Sequence, residues 1–134
     1  LMRYKLDIPA QHIHQVLAQA HMFVGESATM ASECAVLGTP AIYLNSTHYG
    51  STDSQSGYGL MDLFPSDESG QTQAISLAVE IACNLEIKNE HAQNLAKMLS
   101  EKIDVSAFMV WLVQKYPESI ITMKKHPNLK KMFN

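Results

Sequence analysis

Glycine, hydroxyl and carboxylate side chains gather in one stretch, Gly25-Glu26-Ser27-Ala28-Thr29-Met30-Ala31-Ser32-Glu33. It follows the apolar run Met22-Phe23-Val24 and precedes an apolar helical pattern. A strand therefore ends at Gly25 and a helix begins near Ser27. A helix N-terminus offers backbone N–H donors and a partial positive charge, which suit a phosphate. Ser27 and Thr29 add hydroxyls, and small Gly25 and Ala28 leave the backbone accessible. Glu33 lies one turn beyond Thr29, on the same side of the helix. A carboxylate there can accept both hydroxyls of a ribose, and in open α/β sheets ligands bind at this end of the strands. A plainer reading uses the same residues. Ser27 is a good N-cap, and Glu33 can be a surface glutamate. Met30, three residues on, is not a capping-box partner.

Nucleophilic chemistry fits less well. Gly25-Glu26-Ser27-Ala28-Thr29 partly matches a G-x-S-x-G elbow, but Thr29 replaces the final glycine. His48, His91 and His126 follow downstream, none in a context that marks a general base. His12 and His14 lie about 200° apart on a helix and cannot share a metal on one face. His14 can reach the cleft, though a helix-surface histidine is the plainer reading. Tyr49, Asp53 and Tyr58 are candidates for sugar contacts. Cys34 and Cys83, both in apolar helical patterns, suit buried reduced thiols and form no disulfide framework. No metal and no cofactor is expected.

The elements that position these residues can be read in order. Met2 to Leu6 alternates as a short strand. Pro9 suits the first turn of a helix carrying Ile13, Val16, Leu17 and Ala20. Met22 to Gly25 reads as a buried strand. The helix from Ser27 places Met30, Cys34 and Leu37 on one stripe, and Gly38 with Pro40 ends it. Ala41 to Leu44 is the next buried strand, so residues 22–44 form a strand–helix–strand unit with parallel strands. Asn45 to Gly57 has no apolar period and reads as a loop. Tyr58 to Phe64 is a strand and Pro65 to Gly70 a turn. Gln71 to Asn84 is a helix with Ile75, Ala78, Val79 and Ala82 inward. Asn89 to Ile103 follows as a second helix. Asp104 caps a third, with Phe108, Trp111 and Leu112 as core. Pro117 opens a fourth. The order predicts an α/β, Rossmann-like open parallel sheet over about 1–103, with a helical C-terminal tail over 104–134.

Composition narrows the function classes. The chain has 134 residues, 46% hydrophobic and 17% charged, which suits one domain with a real core. Its net charge of −3 disfavours a nucleic-acid partner. The longest apolar run, Ala107 to Val113, falls far short of the roughly 20 residues of a membrane span. No signal-peptide pattern is visible, so a cytoplasmic location is expected. Leu1, where Met would open a complete chain, suggests an excerpt of a longer protein. The last twenty residues carry five lysines against Glu118, for +4, while residues 1–114 carry −7. That contrast reads as a solvated terminal helix, or as a docking surface for an acidic partner or for another part of the parent protein.

The segment Glu26-Ser27-Ala28-Thr29-Met30-Ala31-Ser32-Glu33-Cys34-Ala35-Val36-Leu37-Gly38-Thr39-Pro40 resembles the signature of the C-terminal domain of UDP-N-acetylglucosamine 2-epimerases. It is similar also to the nucleotide-binding half of GT-B glycosyltransferases. The closest resemblance is to a bacterial family of uncharacterised GT-B-like proteins. It extends to Ile8, Pro9, Ile13 and His14, to Gly38-Thr39-Pro40-Ala41-Ile42, and to Phe108, Trp111, Tyr116, Pro117, Glu118 and Ser119.

The resemblance implies a nucleotide-sugar donor domain, for a UDP-sugar, whose N-terminal partner domain is absent. Ser27 with the Ala28–Thr29 backbone would hold the diphosphate, and Glu33 the ribose. Ile8 to Ile13 would border the base, and Asn45 and Ser46 would face the sugar or acceptor. At Ala28 and Thr29 the epimerases carry glycines, so the added bulk weighs against epimerase activity more than against nucleotide binding. The fragment alone is expected to bind without turnover. An uncovered domain interface could pair two copies as a homodimer. A nucleotide-sugar epimerase, or a non-catalytic domain that kept the fold, is the alternative.

Overall fold

The computed structural model describes residues 4–47, 49–126, 128, 129 and 133. A 3-10 turn, Ala10–His12, leads into α1 (Ile13–Gln19), β1 (Phe23–Gly25), α2 (Ala28–Val36) and β2 (Ala41–Leu44). Then follow α3 (Gly50–Gly57), β3 (Met61–Phe64), α4 (Glu68–Cys83), α5 (Ile87–Glu101), α6 (Val105–Gln114) and α7 (Glu118–Lys125). Contacts divide the chain into two units, residues 1–95 and 96–134, with the boundary inside α5.

The first unit is built on a parallel sheet ordered β1-β2-β3. Phe23 pairs with Ala41, and Ala41 with Met61. Parallel neighbours need a crossover each, and α2 and α3 supply them. β2 is the central strand, and Ala41, Ile42 and Tyr43 are buried. Ile42 forms a core with Ala74 and Ile81 of α4, joined by Met22, Leu44, Phe64, Leu77 and Ile87. Ala41, Tyr43 and Met61 alternate to the other face and are buried as well. This is a small open α/β sheet of Rossmann-like type, as the alternating pattern predicts.

α2 ends as expected. Gly38 takes φ 77°, the left-handed value that glycine adopts without strain. Its N–H bonds Ala35 O at 3.3 Å, and Thr39 N–H bonds Cys34 O at 2.9 Å, a Schellman pair. Thr39 is fully buried, and its hydroxyl donates to Leu17 O at 2.9 Å. That bond ties the end of α1 to the approach of β2. Thr39→Val keeps the shape and removes the donor. It is expected to cost about 1 kcal/mol, read in urea denaturation. An unchanged midpoint would show that the bond is not formed in solution.

Several expectations are corrected. Met2 and Arg3 lie outside the described residues. Tyr4 to Leu6 is not a strand, and Tyr4 and Leu6 are 72% and 70% exposed. β1 pairs only with β2 among the described residues, so residues 4–6 add no strand to its free edge. β1 is itself half-open, with Val24 exposed. The buried stripe of α2 is Ala31, Cys34 and Ala35, and Leu37 faces out. On α4 the inward residues are Ala74, Leu77, Ala78 and Ile81, while Ile75 and Val79 are exposed. That helix starts three residues before Gln71, because Asp67 caps it through Gly70 N–H at 2.8 Å. The strand read from Tyr58 begins only at Met61, after a turn in which Gly59 has φ 71°. Cys34 is buried, and burial, with Glu33 beside it, pushes its thiol up to about 11. Cys83 is exposed, not buried.

The second unit holds α6 and α7. Asp104 caps α6 by accepting from Ala107 N–H at 2.9 Å, as its sequence position suggests. Ser119 of α7 is buried and donates to Leu112 O at 2.8 Å. Phe108, Trp111 and Phe133 make mutual ring contacts, with centroids 5.5–6.1 Å apart. Phe108, Trp111 and Leu112 are only half-buried, so they form a partial core, and no residue of α6 is fully buried. Among the described residues no helix is long and apolar enough to cross a membrane.

Candidate functional site

β1 delivers the chain to α2 through Glu26 and Ser27. Ser27 is extended, and its Oγ accepts from Met30 N–H at 3.3 Å. Its hydroxyl oxygen is therefore the helix N-cap, while its O–H can still donate outward. Ala28 and Thr29 are the first helical residues, whose N–H groups the helix itself does not use. Gly25 is small for a local reason. A Cβ there would come within 3.0 Å of the Phe23 ring.

An open cavity of about 1080 Å³ runs along the outer face of α2. Ala28, Thr29, Ser32 and Glu33 line it from α2, with Val36 and Leu37 at its far end. His14 closes one side from α1. Tyr49, Ser51 and Gln55 close the other. His14 Nε2 stands 3.4 Å from Glu33 Oε2. Both groups are solvent-accessible, so a pair of this kind is worth at most about 1 kcal/mol. A ligand can therefore take over the Glu33 carboxylate at small cost.

The third wall is the main departure from expectation. Residues 50–57 form the helix α3 where a loop is expected. The helix has no apolar stripe to reveal it. Instead Thr52 and Gln55 are its buried residues. Thr52 Oγ1 accepts from Tyr49 N–H at 3.1 Å and donates to Tyr49 O at 2.8 Å, closing the first turn. Ser32 donates to Gln55 Oε1 at 2.7 Å, and Gln55 Nε2 donates to Ser32 O at 3.3 Å. This two-way bond fixes α3 against α2. Buried Tyr43 steadies the preceding segment by donating to Thr47 O at 3.0 Å.

The expected site residues are only partly brought together. Ala28, Thr29, Glu33 and His14 share the large cavity, with Ser27 capping the helix at its end. Gly25 and Glu26 line a separate cavity of about 320 Å³, beside Leu44, Ser66 and Ile75. Asn45 and Ser46 line neither. Asn45 Oδ1 accepts from Thr47 N–H at 2.9 Å, and the Ser46 and Ser66 hydroxyls are 3.3 Å apart. Of the three loop candidates, Tyr49 reaches the large cavity, while Asp53 and Tyr58 do not line it. His48 lies outside the described residues. Ser32, Val36, Leu37, Ser51 and Gln55 are lining residues that the sequence reading passes over. Among the described residues no group of three or more His, Cys, Asp or Glu side chains could hold a metal.

No protein-family model matches the chain, and none of the curated proteins matches it significantly. The cavity offers a carboxylate, a helix end, several hydroxyls and the apolar groups of Val36, Leu37 and Tyr49. Such a set suits a ligand with a hydroxylated ring, an anionic group and a flat apolar part.

Proposed function

We propose that the chain binds a nucleotide sugar, a UDP-sugar, as the donor-holding domain of a GT-B-like glycosyltransferase. One observation carries this reading. Glu33 and the first turn of α2 open onto the same cavity, about 1080 Å³ in volume and lined in part by apolar groups. The ribose hydroxyls donate to Glu33, displacing or sharing the contact with His14. The diphosphate lies toward the N–H groups of Ala28 and Thr29, where the Ser27 O–H adds a donor. During transfer the same helix end stabilises charge on the departing diphosphate. Gly25, Glu26, Asn45 and Ser46 take no part in this arrangement.

Titration calorimetry with UDP, uridine and inorganic phosphate tests it. UDP is expected to bind, and Glu33→Ala to weaken it about tenfold or more, since hydrogen bonds to a charged group are worth about 1.5–3 kcal/mol. Ser27→Ala should weaken UDP and leave uridine unchanged. Absence of heat with millimolar UDP removes the reading. Binding indifferent to Glu33→Ala removes the ribose assignment.

A further inference from the structure

We propose that the second unit docks on an anionic lipid surface through the outer face of α6 and α7. α6 holds no charged residue along its ten positions. Val105, Met109 and Val113 follow one another at i, i+4 and i+8 and are 61%, 49% and 71% exposed. Val110 and Tyr116 extend this apolar face, also exposed. A helix apolar all round is ordinarily covered, and this one has only its Phe108–Trp111–Leu112 side half-covered. The stripe needs an occupant that is itself apolar.

The charge around it selects which. Among the described residues from 96 onward, five lysines stand against Glu101, Asp104 and Glu118, a net of +2. Lys115 caps the C-terminal end of α6, where the stripe runs out at Tyr116. On α7 the exposed Ile121 shares a face with Lys124 and Lys125, at i+3 and i+4. Glu118 stands on that face too, and the cations outnumber it. Exposed aliphatic side chains and a tyrosine on α6, with Lys115 at its end and two lysines on the following helix, match the chemistry of a bilayer boundary, with acyl chains below and phosphates above. Two copies placed face to face would bring like charges together. The helix is too short to span, so the contact lies in the interface plane.

Flotation of the whole chain with vesicles tests the proposal. Vesicles of phosphatidylglycerol mixed with phosphatidylcholine are compared with pure phosphatidylcholine. The chain is expected to float with the anionic vesicles and not with the neutral ones, and to be released by salt. Met109→Ser with Val113→Ser changes only exposed positions and should lower the partition about tenfold. Lys124→Glu with Lys125→Glu should lower it at least as much, at about fivefold per lysine removed. Equal binding to both vesicles, or none to either, overturns the proposal. So does a dimer in light scattering that the Met109–Val113 pair dissolves, because a second copy is then the occupant. None of these readouts involves a nucleotide, so they stand apart from the fate of the cavity.

Discussion

Gly70→Ala is expected to destabilise the fold by about 2–4 kcal/mol, although alanine is the better helix former. Gly70 sits in the first turn of α4 and is buried. Its N–H binds the Asp67 carboxylate at 2.8 Å. A Cβ at this position would lie 2.0 Å from Pro65 O, 2.8 Å from Pro65 Cγ and 2.9 Å from Pro65 C. Two of those atoms belong to the backbone, and the third to a ring that can hardly move. The turn leaving β3 and the start of α4 must separate, which loosens Ala74 from Ile42 one turn further on. Propensity alone would make alanine about 1 kcal/mol more stable than glycine inside a helix. The two arguments thus predict opposite signs, and the contact is the larger. Gly57→Ala is the control, since nothing lies within 4 Å of a Cβ there. It should change stability by no more than about 0.5 kcal/mol. Urea denaturation of both variants decides the matter. A Gly70→Ala protein as stable as the parent would mean that Pro65 does not close over α4.

That contact also marks a limit of reading by pattern. A glycine at the start of a helix looks like turn punctuation, so α4 is expected to begin after Gly70. Only the tertiary neighbour explains why a glycine is needed inside the helix. β2 was legible for the opposite reason. A central parallel strand is covered on both faces and becomes an unbroken apolar run, and Gly38 with Pro40 marks its start. α4 offered two apolar stripes of similar strength, and periodicity cannot say which one meets the sheet. The face with Ala74 and Ile81 fits closer to Ile42, which leaves Ile75 and Val79 outside.

The candidate site was legible where it depends on one helix. Thr29 and Glu33 could be placed together by counting residues, and the structure sets both on the cavity. The opposite wall could not be found that way. α3 is held by Thr52, Gln55 and Ser32 through hydrogen bonds, and its buried face is polar. Hydropathy reads such a segment as a loop. A buried glutamine answering a serine on another helix is visible only after the chain has folded.

Acid should weaken the fold in a window set by His91. This residue lies on α5, is 6% exposed, and its Nδ1 has no hydrogen-bond partner among the described residues. Burial holds its imidazole below the usual range, with Asp62 and Glu90 pulling partly the other way. Asp62, on β3, is held above the usual carboxylate range by burial, with His91 opposing. The unfolded chain therefore binds a proton at residue 91 more readily than the folded one. Stability from this group is complete above about pH 6.5 and is lost as pH falls below that value. Asp62 has the opposite sign. Its folded form takes up a proton more readily, so its contribution is complete below about pH 3.9 and fades as pH rises through its raised folded value. The imidazole titrates at higher pH than the carboxylates, so His91 acts on the first part of the acid limb. Urea midpoints measured from neutral pH down to pH 4 should fall for the parent through the imidazole range. His91→Leu should remove that fall, because leucine fills the site and has no proton to gain. Asp62→Asn should raise the midpoint at pH 7, where the half-buried carboxylate is ionised, and the gain should shrink on acidification. If His91→Leu falls as the parent does, another group controls the acid limb and the buried imidazole is not the cause. If Asp62→Asn lowers the midpoint at pH 7, the carboxylate is serving as a partner to His91, and its ionised form stabilises the fold.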